Sequence, residues 1–130
     1  MMHATGDFKI ESWDEVACGK SDNNWGFTRT KVIQAFRGDI DGAAAIDYVT
    51  VYRADKSTIF TGYAKIVGSL GGRSGTFTLQ IQGTFDGKAA NGDFVVVDRM
   101  ATGALAGLQG RGTFHTALEE DGAYSLEYVI

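Results

Sequence analysis

The run GTFTLQIQGTF, residues 75–85, alternates with a period of two: Phe77, Leu79, Ile81 and Phe85 share one face, while Thr76, Thr78, Gln80, Gln82 and Thr84 share the other. Such alternation marks a strand with one apolar and one polar face. The same test along the chain predicts eight strands, over residues 4–16, 26–38, 43–54, 58–70, 74–86, 91–99, 109–116 and 122–129. Between them lie SDNN, DIDG, RADKS, LGGRS, DGKAANG and EEDG, which offer Gly, Asn or Asp where a turn needs positive φ. Connections this short leave no room for parallel crossovers, so consecutive strands are expected to pair antiparallel in a meander. ATGALAGL, residues 101–108, is the one stretch able to form a helical turn.

Eighteen glycines and no proline leave the chain-turning to glycine. Gly62, Gly68, Gly75, Gly83, Gly92 and Gly112 fall within or at the ends of predicted strands. A small closed barrel bends sharply at such positions and lets large neighbours fill the vacated space. The competing reading of GGRSG is a phosphate-binding loop, which needs a following helix and a Lys after the last glycine. A β-periodic run follows instead.

Interiors seldom tolerate an unpaired charge, so the charge-free face of each strand is assigned to the inside. In the second strand that face is Thr28, Thr30, Val32, Gln34 and Phe36; in the third, Ile46, Tyr48, Thr50 and Tyr52; in the fourth, Phe60, Gly62, Ala64 and Ile66. Phe8 and Ile10 join them from the first strand, Phe94 and Val96 from the sixth, Phe114 from the seventh, and Tyr124, Leu126 and Tyr128 from the eighth. Closing the sheet buries this set and removes its unpaired edges. The expected architecture is all-β: one domain over residues 1–130, a single eight-stranded antiparallel up-and-down barrel.

A net charge of −4, with basic residues scattered, argues against a nucleic-acid partner. Arg29, Lys31 and Arg37 are read as a solvated strand face. The lone Cys18 permits neither an internal disulfide nor a thiolate metal site, and a single thiol fits a reducing compartment, so a cytoplasmic location is expected. MMHATGDFKIESWDE holds charges by Asp7 and no apolar core of signal-peptide length, and no run of eighteen apolar residues exists. Neither secretion nor a membrane partner is expected.

The candidate ligand site is the lumen. Thr30, Gln34, Tyr48, Thr50 and Tyr52 form a polar set on two adjacent strands, amid Phe60, Phe77, Leu79, Ile81 and Phe94. A mostly apolar pocket with a few convergent polar groups is what small-ligand recognition uses, although eight strands sit at the boundary between filled and hollow. Arg73, at a hairpin tip on one rim, is placed to meet an anionic ligand or simply to be solvated. Asp39 and Asp41 are read as turn residues because the further oxygen ligands of a calcium loop are missing. His3 and His115 lack partners at ligand spacing, and Ser74 lacks the flanks of a nucleophile elbow. No metal and no cofactor is therefore expected. Trp13 and Trp25 flank the first connection, and Ile59, Tyr63, Val67, Val95 and Val97 make the outer face apolar enough to suggest a homo-oligomer.

SWDE, GDIDG, YRADKSTIFTGYAKIVGSLGGRSGTFTLQIQGTFDG and TGALAGLQGRGTF together resemble a bacterial family of small proteins of unknown function, whose barrel is related to allene oxide cyclase. The resemblance spans essentially the whole chain, with residues 52–87 its most specific part. It implies an eight-stranded, calycin-like barrel and self-association, and it implies no agreed activity. Members of that family often carry an acidic residue where this chain has Ala64 and a histidine where it has Ile81. Three functions are compatible with these features: a non-catalytic binder of a small, largely apolar molecule, a cyclase- or isomerase-like enzyme, and a structural or self-association module with a filled barrel.

Overall fold

The computed structural model describes residues 1–17 and 26–130. Its strands are β1 (Met2–Ala17), β2 (Phe27–Gly38), β3 (Ile40–Tyr52), β4 (Thr58–Leu70), β5 (Arg73–Phe85), β6 (Ala89–Val96), β7 (Thr102–Gly103), β8 (Gln109–Ala117) and β9 (Gly122–Val129). Each of β1 to β6 pairs antiparallel with the next, β6 pairs with β8, and β8 with β9. β9 then returns to β1, from Met2 opposite Tyr128 to Phe8 opposite Gly122, and closes an eight-stranded barrel. β7 is an addition to the ring, two residues laid against Gly75 and Thr76 of β5.

The period-two reading recovers all eight barrel strands. ATGALAGL departs from its expected helical turn. Its second and third residues form β7, and successive i to i+3 bonds follow, Leu105 N–H to the Thr102 carbonyl (3.2 Å) and Leu108 N–H to that of Leu105 (3.0 Å). Cross-strand pairing holds the start of the segment extended, so it coils only afterwards. The SDNN turn, Cys18 and Trp25 lie outside the described residues.

Aromatic rings lie flat against glycines directly across the ladder. A Cβ at Gly122 would come within 2.1 Å of the Phe8 ring, and one at Gly112 within 2.6 Å of the Phe94 ring. Phe8 pairs with Gly122, and Phe94 with Gly112, so each ring occupies the room its partner's missing side chain leaves. Gly42, Gly68 and Gly75 instead lie against neighbouring backbone, with no ring beside them.

The two ends of the barrel differ. At one end lie the β2–β3 and β4–β5 turns, both chain termini and the long connection from β6 to β8. There Ile40, Ile66, Leu70, Phe77, Leu105, Leu108 and Leu126 are all buried essentially completely and fill the lumen as a plug. Tyr124 fastens this end: its hydroxyl donates to the Arg37 carbonyl (2.8 Å) and accepts from Ile40 N–H (2.8 Å), bridging the β2–β3 turn. At the other end lie residues 53–57, 86–88 and 118–121, and no comparable plug is formed by the described residues.

Outward positions are mixed. Lys31, Asp47, Lys65, Gln80, Asp93 and Arg111 are exposed along consecutive strands, the reverse of the apolar girdle that a membrane barrel presents to lipid. No helix among the described residues is long and apolar enough to cross a membrane. Ile59, Tyr63, Val67 and Val95 are exposed and Val97 half-buried, but Ile59 stands opposite Thr84, Tyr63 opposite Gln80 and Val67 opposite Thr76.

Because Leu105 is wholly buried in the plug, Leu105→Ala is expected to destabilise the fold by about 2–5 kcal/mol. Urea unfolding of the two proteins measures it, and a loss below about 1 kcal/mol would show that the plug collapses readily around the gap.

Candidate functional site

The unplugged half of the barrel holds a cavity of about 610 Å³, with Trp13, Lys56 and residues 118–121 at its mouth. That lies within the range of small-molecule sites, about 300–1,000 Å³. Its frame is aromatic. Tyr124, Phe36, Phe8, Phe114, Phe60 and Tyr48 form an unbroken chain of edge-on and tilted ring contacts, with centroids 5.1–6.4 Å apart. The six rings come from six different strands and all line the cavity. Rings in such contacts hold one another in place, which keeps the space between them open.

Of the ten lumen residues expected from the sequence, Gln34, Tyr48, Thr50, Tyr52, Phe60, Leu79, Ile81 and Phe94 line this cavity. Phe77 and Thr30 do not: Phe77 belongs to the plug, and Thr30 is fully buried outside the cavity lining. Period two assigns a residue to a face and says nothing of its height along the barrel. Arg73 is exposed and opens β5 at the plugged end, so it stands on the rim opposite the mouth. Ala64 is buried away from the cavity, while Ile81 is part of its wall.

The cavity is chemically two-sided. Leu79, Ile81, Phe85, Ala90, Phe94 and Phe114, from β5, β6 and β8, make one side apolar but for Thr116 of β8. Facing them, β2, β3 and β4 contribute Gln34, Tyr48, Thr50 and Thr58, each more than nine-tenths buried. None of these four side chains has a hydrogen-bond partner among the described residues. Thr30 Oγ1, behind the lining, is likewise without a partner among the described residues. Burial pushes the Tyr48 phenol far above its ordinary value, so it stays a neutral donor.

One constellation escaped the charge-sorting. A β-bulge shifts the β1–β2 register between Ile10, opposite Gln34, and Ser12, opposite Ile33. Beyond it the faces exchange, so Trp13, Glu15 and Ala17 stand opposite the inward residues Val32, Thr30 and Thr28. Glu15 therefore turns to the inside of the mouth, although strict alternation from Phe8 and Ile10 assigns it outside. The signal was present in the apolar spacing, two from Phe8 to Ile10 and then three to Trp13. The Glu15 carboxylate accepts from Trp13 Nε1 (3.1 Å), Thr28 Oγ1 (2.6 Å) and the Tyr52 hydroxyl. Burial alone would raise this carboxyl, but the bonds from Thr28, Tyr52 and Trp13 outweigh it and hold it below the usual carboxylate range. Burial, together with the bond to Glu15 and its charge, pushes the Tyr52 phenol up. Trp13 and Tyr52 both line the cavity mouth, and Glu15 ties one to the other.

Charge is confined to the mouth, where exposed Lys9, Lys56, Glu119, Glu120 and Asp121 complete the lining. Among the described residues no three His, Cys, Asp or Glu side chains are grouped so as to hold a metal ion.

No curated protein matches the chain. A solved structure from Shewanella oneidensis MR-1, of a protein with unknown function from the DUF3224 family, is similar over 100% of this chain and 97% of its own, with a TM-score of 0.84 and 22% identity. At that identity the likeness is one of fold. The profile of the family described as protein of unknown function (DUF3224) matches residues 4–128. The chain belongs to the DUF3224 family.

Proposed function

We propose that this barrel is a binding protein that takes a small, largely apolar molecule into its lumen without transforming it. The observation that carries the reading is the 610 Å³ cavity, framed by aromatic rings in a barrel size that is often filled. At the ~30 Å³ that a water occupies in the liquid, the space suits a molecule of on the order of twenty non-hydrogen atoms. Catalysis by proton transfer would want a base with a pKa near the working pH. Glu15, the inward carboxylate, is held low by three donors and is not part of the cavity lining, which makes it a poor base. Its role in this reading is positional: by fixing Trp13 and Tyr52 it preforms the mouth, which lessens the ordering cost of binding.

A neutral environment-sensitive dye such as phenylnaphthylamine is expected to bind one per chain with a blue-shifted emission. Ile81→Trp, which projects an indole into the cavity, is expected to weaken it by about tenfold or more. Equal affinity for the variant would place the dye elsewhere and sink the lumen reading.

Glu15 also predicts a pH dependence. A carboxyl whose folded pKa lies below the unfolded value, here 4.5, contributes stability above the unfolded pKa and loses it as the pH falls through the folded one. Glu15→Gln is therefore expected to be less stable than the native protein at neutral pH, with the gap narrowing below about pH 5. Thermal melts across that window measure it; a gap independent of pH would remove the electrostatic part of the argument.

A further inference from the structure

We infer that the lumen selects uncharged lipophiles that carry a carbonyl, ether or hydroxyl oxygen on one edge, and discriminates against carboxylates and amines of the same skeleton. The inference rests on the lumen-binding reading and adds the ligand's chemical class. Its ground is the polar strip on β2, β3 and β4. Gln34, Tyr48, Thr50 and Thr58 each line the cavity, each is more than nine-tenths buried, and none is hydrogen-bonded within the described protein.

Their polar groups face the cavity, so a guest that covers them without pairing them is penalised, and every one of them can donate: a phenol, two aliphatic hydroxyls and an amide N–H₂. A ligand oxygen on that side pairs them, while its apolar remainder meets Leu79, Ile81 and Phe94 across the cavity. A hydrocarbon fills the same space and leaves the donors unmet. Oxygen therefore sets both orientation and preference.

Charge is disfavoured for separate reasons at depth and at the mouth. Within the cavity no lining residue below the rim is ionised, so neither a carboxylate nor an ammonium finds a counter-charge there. The burial that keeps the Tyr48 phenol neutral acts equally on a ligand's acid group beside it. At the mouth, Glu119, Glu120 and Asp121 outnumber Lys9 and Lys56, so an anionic head projecting outward meets a net negative rim. An ammonium is tolerated at that rim, but only with its apolar part displaced from the donors.

The test is displacement of phenylnaphthylamine by four probes on one skeleton: acetylnaphthalene, ethylnaphthalene, naphthoate and naphthylmethylammonium. Acetylnaphthalene is expected to bind tightest. Tyr48→Phe and Gln34→Leu should each weaken it by about three- to tenfold, the worth of one hydrogen bond, and leave ethylnaphthalene unchanged. The unchanged hydrocarbon doubles as the check that the variant cavity is intact. Naphthoate or the ammonium binding as tightly as the ketone, or ketone affinity indifferent to both substitutions, overturns the selectivity while lumen binding stands. If the dye and all four probes fail to bind the native protein, the lumen reading itself fails and this inference with it.

Discussion

Closure of the ring by the β1–β9 ladder is the constraint on which the rest depends. Once Met2–Phe8 pairs with Gly122–Tyr128, no strand of the barrel keeps a free long edge, and every second side chain must enter one shared lumen. Eight strands enclose a space that side chains can just fill. Whether a cavity survives is then decided by residue size at each height, and by how bulky groups find backbone to lie against. Phe8 over Gly122 and Phe94 over Gly112 draw rings toward the wall and away from the axis.

The barrel resolves the choice between filled and hollow by doing both. The long β6–β8 connection brings Leu105 and Leu108 into one fully buried apolar cluster with Ile40, Leu70 and Phe77. Stability can be concentrated there. The other half is framed by six mutually supporting rings and left open, so the cavity wall is built on strands and loop residues enter only at its mouth. The open space is thereby placed at the end away from the β6–β8 connection, which supplies Leu105 and Leu108 to the plug.

Fold and lumen were legible because period two survives along nearly every strand, and because charge separates inside from outside. Phe60, Leu79, Ile81 and Phe94 were placed on the inward face by that argument alone, and all four line the cavity. Two kinds of information were not carried by alternation. Height along the axis depends on tilt and stagger between strands, which is why Phe77 went to the plug and Arg73 to the far rim. Phase depends on bulges. One extra residue near Glu11 moved Glu15 from the outer face to the inner one, and with it the only inward carboxylate among the described residues of that strand. Charge-sorting fails at such a place because Glu15 is tolerated by local pairing with Trp13, Thr28 and Tyr52, not by exposure.

The unpaired polar strip is the feature hardest to explain by folding alone. A lumen shaped only for stability would set apolar residues at Gln34, Thr50 and Thr58 and a Phe at Tyr48, since a polar group that faces the cavity without a protein partner adds no hydrogen bond to the fold. Val32, Ile46, Ala64 and Ile66, on the same three strands and facing the same way, show that these strands accept apolar residues inward. The polar residues are also not scattered: they gather on β2, β3 and β4, while β5, β6 and β8 contribute none but Thr116 to the lining of the strand walls. Residues that break the local rule without benefit to the fold mark functional sites. In this barrel they do so on one side of a cavity that is otherwise apolar, which is the asymmetry that an oriented, oxygen-bearing guest requires.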